Sequence, residues 1–113
     1  MTVITEPQFI VRLDGRLDVE SAEQLAAAAA EWEVAAGRVA ILDLGWLEYL
    51  SSSGIRALIT VAKTLQAKGA RLELAGAQGM VKRVLDVCGI SQVVTVHEYV
   101  EDAVAAAERG AGS

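Results

Sequence analysis

The chain has 113 residues, 53% hydrophobic but only 4% aromatic, and 15 acidic against 10 basic residues give it a formal charge of −5. That length suits one domain with an aliphatic core and no staples, because a chain of this size buries roughly two thirds of its unfolded surface. The acidic balance, with no basic run, argues against a general nucleic-acid surface. The single Cys88 excludes an intrachain disulfide or a cysteine-based zinc site, and the single His97 excludes a cluster of histidine ligands.

No charged leader precedes an apolar block and no apolar stretch reaches spanning length, so the expected location is the cytoplasm, without membrane insertion. In chain order, Thr2 to Ile4 and Phe9 to Leu13 read as two short strands around a Glu6-Pro7-Gln8 turn, paired as an edge hairpin and closed by Asp14-Gly15. Asp18 and Ser21 are both candidate N-caps of the next helix, with Ser21 and Gln24 spaced as a capping box. Leu25, Ala28, Ala29, Trp32 and Ala36 continue it at helical spacing up to Gly37.

Val39 to Leu44 is an apolar run without alternation until Asp43, as in a strand covered on both faces. The following Gly-Trp-Leu-Glu-Tyr-Leu reads as a loop in which Trp46 and Tyr49 cover the core. Ser51, Ser52 and Ser53 then open a helix whose Ile55, Leu58, Ile59, Ala62 and Leu65 mark one face, with Gly69 just past its end. Arg71 to Ala75 reads as a strand, Met80 to Cys88 as a helix ending on Gly89, Val93 to Val96 as a strand and Tyr99 to Glu108 as a final helix. Residues 1–108 thus form the domain, and residues 109–113 a tail expected to fray. Cys88, in an apolar helical context, is expected to be a small buried hydrophobe.

Strands alternating with helices imply an α/β domain: a mixed, mostly parallel sheet of four to five strands with about four helices. Loops at the carboxyl ends of such strands carry function, and the serine turn is one of them. One serine serves as a cap; three are more than a cap requires. At about 100° per residue, Ser51 lies near the centre of the apolar stripe and Ser53 about 180° from it, in an outward strip with Ala57, Thr60 and Thr64 and with Arg56 and Lys63 nearby. A phosphate on Ser53 would bring about −1.5 to −2 charges to the positive end of a helix dipole beside free N–H donors. Ser53 is therefore read as a switch, against the plainer reading of a capping or surface serine.

Gly15-Arg16-Leu17-Asp18 before the first helix, Ile41-Leu42-Asp43-Leu44 in the third strand and Ser52-Ser53-Gly54 opening the second helix stand in an order that resembles a STAS domain of the bacterial anti-sigma factor antagonist type. The resemblance covers nearly the whole chain. It implies that Ser53, the residue before Gly54, is phosphorylated by a partner serine kinase that is also the anti-sigma factor. The dephosphorylated form would bind that kinase and release a sigma factor, and a phosphatase would reset the switch. Many members carry aspartate where Ser51 stands here, which leaves Ser51 or Ser52 open as the acceptor. The kinase would supply ATP and magnesium, so no cofactor is expected in this chain, and whether the domain pairs with itself is left open. The alternative within the same fold is a module outside sigma control, in a lipid-transport complex or a stress-signalling scaffold.

The expected partner surface comprises Asp18, Asp43, Ser52, Gly54, Arg56, Ala57 and Thr60. Asp18 is equally readable as a plain cap, and Asp43 as a loop-holding carboxylate or as a contact to kinase or metal. Gly54 allows another backbone to come near the serine. Asp43, Ser53 and His97 are the ingredients of a hydrolase triad, but Ser51 occupies the place of the first glycine of a Gly-x-Ser-x-Gly elbow. No Gly-x-x-x-x-Gly-Lys phosphate loop is present either. The expectation is a binding module without catalysis of its own.

Overall fold

The structure, a computed structural model, describes residues 1–111. Five strands and four helices alternate along it: β1 (Thr2–Ile4), β2 (Phe9–Leu17), α1 (Val19–Ala30), β3 (Val39–Leu50), α2 (Ser52–Ala67), β4 (Arg71–Ala75), α3 (Gly79–Cys88), β5 (Thr95–His97) and α4 (Val100–Ala111). The strands form one sheet in the order β1-β2-β3-β4-β5, with β1 antiparallel to β2 and every other pair parallel. The expected α/β architecture is the one observed.

The alternation along β3 explains why this strand sits in the middle. Ala40, Leu42 and Leu44 join the core beneath α1, α2 and α3, whereas Val39 and Ile41 meet Ala103 and Ala107 of α4 on the opposite face. A strand covered on both faces needs apolar residues at successive positions, as its sequence supplies. Three helices thus cover one face of the sheet and a single helix the other. On the α4 face the buried carboxylate of Glu73 meets His97 Nε2 at 2.6 Å and Arg71 Nε at 3.0 Å, which ties β5 to β4.

Several local expectations are corrected. The segment from Gly45 to Leu50 is strand, because β2 does not stop at Asp14-Gly15 but continues to Leu17, pairing Asp14 with Trp46 and Leu17 with Leu50 across two register shifts. Gly15, at φ +74°, lets β2 pass through one of those irregularities. Trp46 is accordingly 59% exposed beneath the Arg12 guanidinium, 4.8 Å from its ring centroid, and does not cover the core. Helix α1 ends at Ala30, well before Gly37. Lys68 Nζ takes the last two carbonyls of the helix, those of Ala29 and Ala30, and donates as well to the Trp32 oxygen just beyond it. Trp32 then turns inward against Phe9, ring centroids 5.6 Å apart.

Helix α3 ends on Gly89 at φ +70°, as its sequence indicates, but Cys88 is exposed. A single 3-10 turn at Ile90–Gln92 follows, so β5 begins at Thr95, later than the apolar run suggests. Helix α4 includes Arg109 and Gly110, so most of the segment expected to fray is helical; the expectation for residues 112 and 113 falls outside the described residues.

Candidate functional site

The amino ends of α1 and α2 meet at one carbonyl. Leu17 O, at the end of β2, accepts from Ser51 N–H at 3.0 Å and from Ser51 Oγ at 2.9 Å. Ser51 is the N-cap of α2, its Oγ also accepting from Gly54 N–H at 3.1 Å. Gly54 sits directly on this joint: a Cβ there would lie 2.7 Å from Leu17 O and 2.7 Å from Leu50 Cδ1. Its lack of a side chain lets α2 start against the end of β2, and it fixes which residues form the first turn.

That first turn is Ser52, Ser53, Gly54. The Ser52 and Ser53 N–H groups precede the intrahelical ladder, and among the described residues no acceptor is paired with them. The turn contains no acidic residue. It therefore presents a positive dipole end without a compensating anion.

The helix is rotated relative to the expected phase. Its buried face is Gly54, Ala57, Leu58, Val61 and Leu65, about 80° around the axis from the expected stripe of Ile55, Leu58, Ile59, Ala62 and Leu65, with which it shares Leu58 and Leu65. The cause is α1, which lies alongside α2 and packs on its small residues. Three expectations change as a result. Gly54 is buried against Leu17 and Leu50, so the backbone that approaches it closely is that of β2 and it is not part of an exposed partner surface. Ala57 is only 6% exposed and belongs to the core, so it is not available to a partner. Ser53 lies on the flank of the helix, half-buried, and the fully outward position belongs to Ser52 with Arg56 and Thr60.

Asp18 is brought to the serine turn through its neighbour Leu17. It caps α1: its Oδ1 accepts from Ser21 N–H at 3.2 Å, while Ser21 Oγ accepts from Asp18 N–H at 2.9 Å. The capping box is thus Asp18 with Ser21, not Ser21 with Gln24. The Ser21 N–H, followed by the Ser21 hydroxyl, holds the Asp18 carboxyl below its ordinary pKa, with Arg16 adding to the effect. Arg16 completes this rim, 3.9 Å from Asp18 Oδ2 and stacked 4.0 Å from the Tyr49 ring centroid. Sequence reasoning missed Arg16 and Tyr49 as neighbours of the serines. The available signal was period-two spacing at the end of β2, which becomes visible only once β3 is known to pair that far.

Asp43 does not join the group. Its Oδ1 accepts from Gly45 N–H at 3.0 Å, holding a turn-like bend within β3. Eight residues of strand, about 26 Å, separate it from Ser51. It lines a separate cleft of about 450 Å³ with Gly76, Lys82 and Tyr99. His97 is committed to Glu73, so Asp43, Ser53 and His97 are not assembled as a triad. Among the described residues no cluster of His, Cys, Asp and Glu could hold a metal ion, and no helix is long and apolar enough to cross a membrane.

Comparison with known proteins places this geometry. The STAS domain family model matches residues 1–103. A Bordetella bronchiseptica protein, BtrV, named as a candidate anti-sigma factor antagonist, is 35% identical over 98 residues, covering 87% of this chain and 84% of its own. Among solved structures, a sulfate transporter family protein from Wolinella succinogenes superposes with TM-score 0.81 at 19% identity, over 100% of this chain and 93% of its own. The anti-sigma factor antagonist SpoIIAA in its unphosphorylated form gives TM-score 0.74 at 22% identity, over 99% and 95%. By family model, close relative and fold alike, this chain belongs to the STAS domain family, and within that family it resembles the anti-sigma factor antagonists.

Proposed function

We propose that the chain is a phosphorylation-switched anti-sigma factor antagonist whose acceptor is Ser53. The observation that carries the reading is the first turn of α2: unpaired N–H groups, no acidic residue, and a half-buried Ser53 next to Gly54, whose missing side chain lets the turn sit close against Leu17. A kinase that is also the anti-sigma factor transfers the γ-phosphoryl of ATP to Ser53 Oγ. The Oγ–P bond forms, the bond to the ADP oxygen breaks, and the hydroxyl proton passes to a base of the kinase. This chain contributes only the acceptor, acts in the cytoplasm, and is returned to its binding form by a phosphatase. Ser52, further out on the same turn, is the alternative acceptor.

The docking surface in this reading consists of Asp18, Arg16, Ser52, Ser53, Arg56 and Thr60 around the junction of α1 and α2. The dephosphorylated hydroxyl lies against the kinase. A phosphoryl group there places bulk and about −1.5 to −2 charges against a surface fitted to a neutral hydroxyl, and a charge buried there without full compensation costs on the order of 3 kcal/mol, a loss of affinity of about hundredfold. The relatives support it: BtrV is named for the same role, and SpoIIAA is described by its phosphorylation state.

The test is binding to candidate kinase-type anti-sigma factors of the same organism. Ser53→Ala should bind with or without ATP, and Ser53→Asp should bind weakly. If both variants bind like the unaltered protein in the presence of ATP, the switch reading fails and a constitutive STAS module replaces it.

A further inference from the structure

Helices α2 and α3 enclose a groove of about 650 Å³ whose head is Ser52. Its walls are Ile55, Val84, Val87 and Cys88. Val87 is 88% exposed, the most exposed large hydrophobic residue among those described. An apolar side chain so bare, set in a groove of other apolar groups, marks a contact surface. The groove is also rimmed by Arg56 on α2 and Arg83 on α3, with no carboxylate in its lining. Among the described residues neither guanidinium forms an ion pair, although the chain carries a net charge of −5.

Two free guanidiniums around an apolar trough define the complement. We propose that the α2–α3 groove docks an acidic amphipathic helix of the anti-sigma partner, its apolar stripe over Val84 and Val87 and its carboxylates on Arg56 and Arg83. Anchors three and four residues apart suit a groove between two helices. This deepens the switch reading and rests on it. Arg56 follows Ser53 by three residues and Ser52 by four, so a phosphoryl group on either serine lies within reach of its guanidinium. Phosphate oxygens bind arginine strongly through charge-assisted bonds. Phosphorylation therefore withdraws one of the two cations that the acidic helix needs, in addition to crowding the interface.

The probe is a synthetic 18-residue peptide with leucines at helical spacing flanked by glutamates, set against the same peptide with lysines for glutamates. Methyl NMR should show saturable shifts at Ile55, Val84 and Val87 with the acidic peptide only. Arg56→Glu with Arg83→Glu, and separately Val87→Glu, should weaken binding about tenfold or more, and added salt should weaken it further. Circular dichroism should show all variants folded, since each altered side chain is on the surface. Equal binding of the lysine peptide, or no effect of the variants, overturns the proposal. So does sedimentation showing an unaltered dimer that Val87→Glu converts to monomer, because the occupant is then a second copy.

The full anti-sigma factor separates the two readings. If it binds Val87→Glu normally but not Ser53→Asp, the groove proposal fails while the switch stands. If the groove variants lose it and Ser53→Asp does not, docking in the groove stands while its control by phosphate, and the switch reading with it, fails.

Discussion

The starts of α1 and α2 sit side by side at the carboxyl ends of adjacent parallel strands, yet they are finished differently. At α1 the N-cap is a carboxylate, Asp18, locked in a reciprocal box with Ser21, and Glu20 adds a second acid in the first turn. At α2 the cap is a neutral hydroxyl, Ser51, and the next two residues are serines with unpaired N–H groups and no acid. Leu17 leads straight into the α1 cap, and its carbonyl accepts both Ser51 bonds of the α2 cap. One dipole end is already supplied with an anion and the other is not. In the proposed switch, the incomplete end is the one that receives the phosphoryl group.

The largest expected effect comes from breaking the joint between them. Gly54→Ala forces a Cβ into Leu17 O and Leu50 Cδ1, and overpacking of this kind costs about 2 to 3 kcal/mol. Thermal melts should show a fall of roughly 8 to 15 °C. Ser51→Ala removes the α2 cap and its bond to Leu17 O, and denaturant unfolding should register about 1 kcal/mol.

Asp18→Asn tests the finished end by its pH dependence. The folded-state pKa of Asp18 lies below its ordinary 3.8, so its stabilising contribution is complete above that value and is lost as pH falls through the lower folded pKa. The variant should melt lower than the unaltered protein at pH 6, with the gap closing in acid. A gap that stays constant from pH 6 to strongly acidic conditions would show that the carboxylate charge plays no part. The smallest effect is expected from a phosphoryl group on Ser53. It should change stability by no more than about 1 kcal/mol, in the stabilising direction, because it supplies the anion that α2 lacks. A large destabilisation would mean that the hydroxyl points into the α1–α2 packing.

The order of elements was legible because the stops of α2 and α3 are local: Gly69 and Gly89 adopt positive φ where the apolar periodicity ends, whereas α1 ends at Ala30, ahead of the glycine that its spacing points to. The serine turn was legible for the same reason, with Gly54 immediately behind it. The phase of α2 was not. Ile55, Ile59 and Ala62 form the stronger apolar stripe, but Gly54, Ala57 and Val61 are buried because α1 needs small residues to approach closely. Smallness signals an interface only once the neighbouring helix is placed. The length of β3 was hidden similarly, since Gly45 to Leu50 looks like a loop until β2 is extended beside it to Leu17. That extension moved Asp43 away from the serines and brought Arg16 and Tyr49 toward them.

Mass spectrometry of the residue 51–53 peptide, after incubation with the kinase-type anti-sigma factor and ATP, tests the central claim most directly. One phosphoryl group on Ser53, in a protein that no longer binds that kinase, is the expected result. Phosphate on Ser52 alone, no phosphate at all, or a phosphorylated form that still binds as tightly would contradict it.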